Sequence, residues 1–306
     1  MIDHAGIEYA IASDGIDSAR LLRMLEHMDG SRTIAELAAE IGDTDAVLDA
    51  VASLDTGLLL DDAEPARGRS GLDVLLELED LANDLHEKIM YNNVYWRALR
   101  DPAPDLPRQL MHGFCVENYH FLFRESYFDS PVLSYQPSTQ VRLVMNEFYR
   151  EEYGHDEILL RSLNSLGYSR EDLADTMPLP QTMAMCNALA WWSMTDPIFF
   201  FTTLGILEGK EIAEGEQDFF LEACDALGMD QAFVKPIRTH ANINSDSEHG
   251  NLTRAIFREI ECLDEATVRR LRAQTHLFFE LYDKFFAGIY EHYSSAPTLL
   301  RRVSAL

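Results

Sequence analysis

Two short motifs, far apart in the sequence, each place a carboxylate three residues before a histidine. The first is Glu152 with His155, and the second is Asp246 with His249. On an α-helix, positions three residues apart lie on one face, so each pair can bind one metal ion or two adjacent ions. Two such pairs, combined with single glutamates from other helices, form the ligand set of a carboxylate-bridged di-iron bundle. The sequence therefore predicts a metal site, provided that it also supplies the helices and the missing glutamates.

Two further glutamates lie on strongly apolar segments. Glu117 lies within the run Phe114–Leu122, where a carboxylate is costly unless it is paired or bound to metal. Glu208 directly follows the apolar run that ends at Leu207. The order along the chain is then Glu, Glu-x-x-His, Glu, Asp-x-x-His, each on a different predicted helix. An ordinary salt bridge at Glu117 and a helix emerging into solvent at Glu208 remain open alternatives.

The chemistry of this set favours iron. Hard carboxylate oxygens with two or three imidazoles suit iron or manganese better than a tetrahedral thiolate zinc site. In a dry pocket, reduced iron could react with dioxygen while the protein fixes the geometry and excludes water. Two structural alternatives stay open: a core histidine satisfied by a carboxylate at His155, and an exposed polar helix around Asp246.

The helices that must position these residues follow from apolar periodicity. From Gly71 onward the apolar residues recur with a period near 3.6, and hairpin signals are lacking. This pattern predicts an all-α bundle of seven or eight helices. Asp196 and Pro197 interrupt the apolar stretch from Met183 to Leu207, which is therefore read as two buried helices rather than a membrane span. The predicted helices after the first are Arg108–Tyr127, Thr139–Leu166, Gln181–Thr195, Pro197–Leu227, Pro236–Cys262 and Ala266–Tyr293.

The first part of the chain reads as a separate module. Residues 18–28 carry apolar residues at helical spacing, Thr33 and Glu36 form a capping box, and a third helix leads into a short strand at residues 58–60. Three short helices followed by a strand indicate a small winged-helix α/β module. The segment 63–70 reads as a linker. We therefore predict two domains, residues 1–68 and residues 69–306.

Composition excludes several functions. The chain has 306 residues, 52 acidic against 25 basic, and a formal net charge of -27. This balance argues against nucleic-acid binding and against an anionic membrane as a partner. The four cysteines are widely scattered without a C-x-x-C motif, and no signal peptide is visible, so we expect reduced thiols and a cytoplasmic protein. The apolar neighbours of Cys115 favour a packed thiol over a nucleophile.

The N-terminal run from Leu21 to Asp62 resembles the PqqD-like recognition domains of ribosomal peptide biosynthesis. Those domains hold a leader peptide by adding it as a strand to a small sheet. The resemblance implies a peptide partner for this module. Winged helices that bind DNA or only other proteins share the pattern, but the module has no basic recognition helix, which disfavours DNA. Peptide binding and intramolecular docking both stay open.

Residues 75–293 resemble the haem-oxygenase-like di-iron oxidases, an iron-containing redox family. The motif Asp246-x-x-His249 followed by glycine, the helix around His155 and the aromatic segment around Glu117 carry this resemblance. It implies a seven-helix bundle that binds iron and activates dioxygen. It implies Glu152, His155, Asp246 and His249 as ligands by motif, and Glu117 and Glu208 by order and helix.

One position departs from that family. A histidine is usual four residues before the aspartate, and Asn242 stands there in this chain. Either His240 substitutes through a local bulge, or one iron is held weakly or is absent. The ferritin-like arylamine N-oxygenases share the ligand order on a different bundle and stay the alternative family.

We therefore predict a non-haem enzyme that uses one or two Fe(II) ions and dioxygen in natural-product biosynthesis. The substrate would be an amino-acid-like small molecule or a residue of a peptide whose leader binds the N-terminal module. A metal-free binding or scaffold protein and a thiaminase-type hydrolase are the alternatives from other classes. The sequence leaves the oligomeric state open, with a homodimer among the alternatives.

Overall fold

The computed structural model describes residues 2–4, 7–9, 17–28, 30–56, 68–135, 138–207, 219–246 and 249–303. Within these ranges the side chains of residues 2–9, 55–56, 240–246 and 249–251 are left undescribed. The chain divides into two units, Met1–Gly68 and Arg69–Leu306, each with its own hydrophobic core.

The first unit combines a hairpin with three helices. Strands β1 (Ile2–His4) and β2 (Ile7–Tyr9) pair antiparallel, with Asp3 opposite Glu8. Helices α1 (Ser18–His27), α2 (Ile34–Ile41) and α3 (Thr44–Thr56) follow. The sequence did not predict the hairpin, and the strand predicted at residues 58–60 lies outside the described residues.

Local capping explains where these helices begin and end. Asp17 accepts hydrogen bonds from two backbone N–H groups at the start of α1. The predicted capping box of α2 is confirmed: Thr33 and Glu36 bond to each other's backbone N–H, at 3.2 and 2.8 Å. Gly42 ends α2 in the left-handed region at φ 81°, a conformation that favours glycine.

The regular secondary structure in the described part of the second unit is helical, apart from two isolated β-bridges. Its longest helix is the last one, and several of the others are short segments after a corner. In chain order they are α4 (Gly71–Leu85, continued by a π-helical turn, His86–Met90), α5 (Val94–Arg100), α6 (Gln109–Leu122), α7 (Glu125–Asp129, then a 3-10 turn, Ser130–Ser134), α8 (Thr139–Glu152), α9 (His155–Ser165), α10 (Arg170–Ala174), α11 (Pro180–Thr195), α12 (Pro197–Leu207), α13 (219–226), α14 (Gln231–Asp246), α15 (His249–Arg258) and α16 (Glu265–Tyr293).

The core of the second unit draws side chains from most of its described helices, and α11, α12 and α16 contact one another within it. Helix α12 is apolar on every side, and Phe199, Phe200 and Phe201 are all fully buried. A helix without a polar face is stable in water only when its neighbours cover it on all sides. None of the described helices is long and apolar enough to cross a membrane. The predicted break into two helices near Asp196 is therefore confirmed, whereas α12 is buried and α11 keeps an exposed face that includes Trp191 and Met194.

Asp196 fixes this corner by polar contacts. Its carboxylate accepts hydrogen bonds from Arg270 at 2.7 Å and Gln274 at 2.8 Å, both on α16, and it receives the backbone N–H of Phe199 at 3.4 Å. The carboxylate therefore stabilises the start of α12 and ties the corner to the long helix.

Two of the long helices predicted from periodicity contain breaks. The prediction for residues 108–127 is interrupted after Leu122, and that for residues 139–166 is interrupted at residues 153–154. The prediction for residues 236–262 corresponds to α14 and α15, with residues 247–248 outside the described part. Periodicity alone does not reveal such breaks, because the apolar stripe continues across them.

Candidate metal centre

Glu152 and His155 meet in the interior of the second unit. The Nδ1 atom of His155 lies 2.7 Å from Oε2 of Glu152. The two residues are 7% and 1% exposed, so water is largely excluded from both. A buried carboxylate in contact with an imidazole provides one hard oxygen donor and one nitrogen donor, which is chemistry that suits iron.

The pair does not lie on one helix, contrary to the prediction. Glu152 is the last residue of α8 and His155 is the first residue of α9. Between them Tyr153 is extended, at φ -61° and ψ 113°, and Gly154 is left-handed, at φ 102°. The motif therefore works through a corner in the chain, and the two side chains meet because the corner turns both of them inward.

Helices α6 and α9 pack against each other in opposite directions. The thiol of Cys115 lies 3.7 Å from the carbonyl oxygen of Leu159. One turn later on α6, Tyr119 is close enough to feel the charge of Asp156, near the start of α9. The two helices are therefore antiparallel, and His155, at the start of α9, lies near the C-terminal end of α6.

Helix α14 approaches the same place from the other end of α9. Phe233, near the start of α14, lies edge-on to His112 on α6, with ring centroids 4.8 Å apart. His112 precedes Cys115 by about one turn, so α14 begins beside the later half of α9. Because α14 packs along α9, its last turn, which ends at Asp246, runs toward the end of α9 that begins with His155.

Helices α12 and α15 also approach each other closely, and α15 packs against α8. A Cβ atom added to Gly205 would lie 3.2 Å from the hydroxyl oxygen of Thr253. Gly205 precedes Glu208 by three residues, and Thr253 follows His249 by four. The backbone therefore brings the end of α12 and the middle of α15 side by side at Gly205 and Thr253.

The side chains of the second half of the predicted site lie outside the described residues. This holds for Asp246, His249, His240 and Asn242, whose backbones lie in α14 and α15. Glu208 lies wholly outside the described ranges. Their assignment as ligands therefore stays a prediction from the sequence.

Glu117 is buried, as its apolar neighbours predict, but protein groups satisfy it. Its Oε1 accepts a hydrogen bond from Tyr293 at 2.7 Å. Its Oε2 accepts from the backbone N–H of Leu179 at 2.9 Å and from the hydroxyl of Thr182 at 2.5 Å. Burial raises the pKa of this carboxyl group, while the three hydrogen bonds oppose the rise.

The geometry gives no support to Glu117 as an iron ligand. Among the described side chains, no three His, Cys, Asp or Glu residues are grouped closely enough to hold a metal ion. Glu117 therefore does not complete a triad with Glu152 and His155, although all three are described. On α6 it lies two residues from Cys115, on the side that faces α11 and α16 rather than α9.

The structure adds residues that the sequence did not single out. Tyr293 and Thr182 donate to Glu117 from 176 and 65 residues away, and neither has a local motif. Burial lowers the pKa of His120 to about 4, with a smaller contribution from nearby Arg124, so this histidine is neutral at pH 7. His120 follows Glu117 by about one helical turn. This spacing is the one sequence signal that could have indicated that His120 is buried.

The cysteines are poor candidates for a nucleophile. Cys115, Cys186 and Cys224 are buried, and burial raises the pKa of each thiol, to about 12 for Cys186 and Cys224. Such thiols stay protonated near neutral pH, and the thiol form is a weak nucleophile. Cys262 is exposed. A hydrolase that relies on a buried thiolate therefore finds no support here.

Two cavities of about 700 and 690 Å³ occur elsewhere in the second unit. The first lies between α11 and α16, beside Trp191 and Leu277. The second lies at the start of α6, beside His112 and Tyr168. Neither is lined by Glu152 or His155, so neither is the substrate pocket that the sequence predicts next to the metal.

Comparisons with known proteins agree with the helical architecture. A family model described as iron-containing redox enzyme matches residues 83–283. A solved domain of unknown function with a heme oxygenase-like fold, from Shewanella denitrificans, is 22% identical, with a TM-score of 0.59; 72% of this chain and 93% of that chain are covered. A TenA homolog from Pseudomonas syringae pv. tomato is 11% identical, with a TM-score of 0.55 and coverage of 71% and 92%. At these identities the two structures show the fold alone. A search of the curated proteins found no match.

Proposed function

The chain belongs to the family of iron-containing redox enzymes, and from this premise we propose that it is a non-haem iron oxidase or oxygenase that consumes dioxygen. The observation that carries the proposal is the buried contact between Glu152 and His155 at 2.7 Å, inside the part of the chain that the family model matches. A buried ionisable pair of this kind is costly unless it has a role that repays burial, and metal binding is such a role.

The two described donors are of types that suit iron. Glu152 supplies a carboxylate and His155 an imidazole, and both are shielded from water. We propose Glu208, Asp246 and His249 as further ligands, with His240 in place of the histidine that Asn242 replaces, for one or two Fe(II) ions. When bound, ferrous iron would supply the electron transfer that dioxygen needs to react. The protein's own part is to hold the donors at the corner between α8 and α9 and to keep water out.

For the substrate we propose an amino-acid-like group, either free or carried on a peptide. The first unit supports the peptide-borne form, because its described residues include a hairpin, β1–β2, that precedes three helices and is the kind of element a peptide strand can extend. An open edge can accept an added strand, which is how leader peptides are held in the domains that this unit resembles in sequence. Loss of leader-peptide affinity on removal of residues 1–16 would support this assignment, and unchanged affinity would contradict it.

Anaerobic titration with Fe(II) tests the proposed iron site. We expect the wild-type protein to bind one or two ions per chain and His155→Ala to weaken binding at least about tenfold, because a ligand is lost. Glu152→Ala should behave in the same way. His276→Ala is the matched control, since His276 is exposed on α16.

Two outcomes would contradict the proposal. The wild-type protein would bind no iron under anaerobic conditions, or the His155 and His276 variants would bind it equally well. Either result would favour a metal-free binding protein, whose partner affinity should then be insensitive to chelators.

A further inference from the structure

The cavity at the start of α6 is enclosed by three parts of the chain that are distant in sequence. The first turn of α6 forms one side, and the corner after α9 forms a second. The third side is the segment after α16, residues 297–303, which we call the C-terminal strap. The cavity volume of about 690 Å³ lies within the range of small-molecule sites in proteins.

Hydrogen bonds hold the C-terminal strap in place. The carbonyl of Arg301 accepts from the backbone N–H of Met177 at 2.8 Å, and the backbone N–H of Val303 donates to the carbonyl of Asp175 at 3.0 Å. The guanidinium of Arg301 donates to the carbonyl of Pro178 at 2.6 Å. This wall of the cavity is therefore already ordered, and a ligand that binds there does not have to order it.

Three polar side chains of the cavity wall have donor groups available. Neither the imidazole of His112 nor the hydroxyl of Tyr168 makes a hydrogen bond with another described residue. Arg302 donates through one terminal nitrogen to Asp172 at 2.6 Å, with Asp175 3.9 Å from the other, and its side chain is 41% exposed. A guanidinium carries five N–H groups, so these contacts orient Arg302 and leave donors for a ligand.

Two of these donors lie close together. The hydrogen bond to Asp172 is the main cause of the raised pKa of Arg302, and the phenol of Tyr168 adds to it electrostatically. The hydroxyl of Tyr168 is therefore near the guanidinium, and both line the same cavity. A single anionic group could accept from both of them.

The charge of the cavity wall differs from that of the whole chain. The chain has 52 acidic against 25 basic residues, but Arg302 is the one charged side chain among the described residues that line this cavity. Burial lowers the pKa of His112, and nearby Arg108 lowers it further, so the imidazole is neutral at pH 7. The other cavity instead contains an ion pair, Arg270 with Asp196.

The remaining wall is largely apolar. Leu166, Leu299 and Leu300 line the cavity, and the latter two are themselves buried. Carbon atoms of a ligand would be removed from water against these side chains, which favours binding.

We propose that this cavity binds a small carboxylate with an apolar body, whose carboxylate accepts hydrogen bonds from Arg302 and Tyr168. The planar guanidinium matches the geometry of a carboxylate, and the leucines cover the body of the ligand. The inference goes beyond the proposed iron site, because neither Glu152 nor His155 lines this cavity and binding there needs no metal.

Titration calorimetry on the full-length, metal-free protein tests the ligand class. Phenylacetate is the probe. Phenylacetamide keeps its shape without the charge, and acetate keeps the charge without the ring. We expect phenylacetate to bind most tightly and each of the other two to bind at least about fivefold more weakly, because one class of contact is lost.

Substitutions then test the two donors. Arg302→Gln and Tyr168→Phe should each weaken phenylacetate binding roughly five- to tenfold, the usual effect of one hydrogen bond. Tyr168→Phe removes no hydrogen bond to a described residue, so it tests the site even if Arg302→Gln loosens the C-terminal strap. The matched control is Arg270→Gln, which breaks a comparable ion pair at the other cavity, with 46% of the Arg270 side chain exposed. It should leave phenylacetate affinity unchanged.

Three outcomes would overturn the proposal. The wild-type protein would not bind phenylacetate at millimolar concentration, or it would bind phenylacetate and phenylacetamide equally well. In the third case, Arg302→Gln and Tyr168→Phe would both bind phenylacetate as tightly as Arg270→Gln does. Because the protein contains no metal in these titrations, such a failure would leave the proposed iron site to its own test.

Discussion

The carboxyl group of Glu117 depends on donors from three different parts of the chain. The backbone of Leu179 and the side chains of Thr182 and Tyr293 converge on it, and Gly113 lets the ring of Tyr293 come near, since a Cβ there would lie 2.2 Å from that ring. The sequence indicates that Glu117 needs partners, because its neighbours are apolar. It does not indicate which partners, because they come from 62 to 176 residues away.

The pKa of Glu117 leads to a pH-dependent prediction. Burial raises its folded-state pKa above the unfolded value, so the protonated form is favoured by folding. The stabilisation is complete below the unfolded pKa and is lost as the pH rises through the folded pKa. Because Gln does not titrate, we expect wild type to gain free energy of unfolding relative to Glu117→Gln as the pH falls from 7 to 5.

Urea unfolding at both pH values measures this difference. Glu147→Gln is the control for replacing a carboxylate with an amide at a surface position, since its side chain is 66% exposed. A stability difference between wild type and Glu117→Gln that stayed constant between pH 5 and 7 would contradict the raised pKa. We also expect Glu117→Gln to leave iron stoichiometry unchanged, because the carboxyl group is occupied by protein donors.

At the scale of elements, the corner between α8 and α9 decides the geometry of the site. The apolar stripe of residues 139–166 correctly predicts that most of these residues are helical. It predicts one continuous helix, whereas the structure has two. The reason is physical: a glycine in a helix-forming segment is compatible with both a continuous helix and a left-handed break. The choice at Gly154 is set by packing that local periodicity does not contain.

Gly154→Ala tests this corner. At φ 102° an added side chain meets no atom within 4 Å, so its cost is confined to the backbone, about 1–2 kcal/mol. If the corner relaxes, Glu152 and His155 separate, and we expect iron affinity to fall more than the stability of the metal-free protein. Anaerobic titration and thermal unfolding measure the two effects.

Gly167→Ala provides a matched control. Gly167 follows α9 with φ 88° and also has no atom within 4 Å of an added Cβ, so the backbone cost is similar. It lies at the other end of α9 from His155. Equal losses of iron affinity in the two variants would show that the corner has no special role in the site.

At the scale of the whole molecule, the chain has two units with separate cores. One is built on residues such as Met24 and Val47, and the other on the helices from Gly71 onward. The apolar periodicity from Gly71 onward predicts the helical second unit, and the capping box of α2 is confirmed. The hairpin at the start was not predicted, because strands of three residues carry too little alternation to be recognised.

Iron should stabilise only the second unit. A ligand that binds only the folded state stabilises it, by about 2.7 kcal/mol when the free ligand concentration is 100 times the dissociation constant. Hydrogen exchange followed by mass spectrometry, with and without Fe(II) under anaerobic conditions, should show slower exchange in α8, α9 and α14 and unchanged exchange in α1–α3. Equal protection of both units, or protection by Mg²⁺ as well, would contradict this expectation.

The left-handed glycine between Glu152 and His155 also matters for anyone who wishes to transplant or redesign the site. A graft of this Glu-x-x-His pair could be attempted by copying the four residues onto a straight helix. Such a graft would copy the residue types of this protein but not the bend in the backbone, which brings the carboxylate and the imidazole within 2.7 Å of each other. The portable unit is the pair of helix ends with the two residues between them.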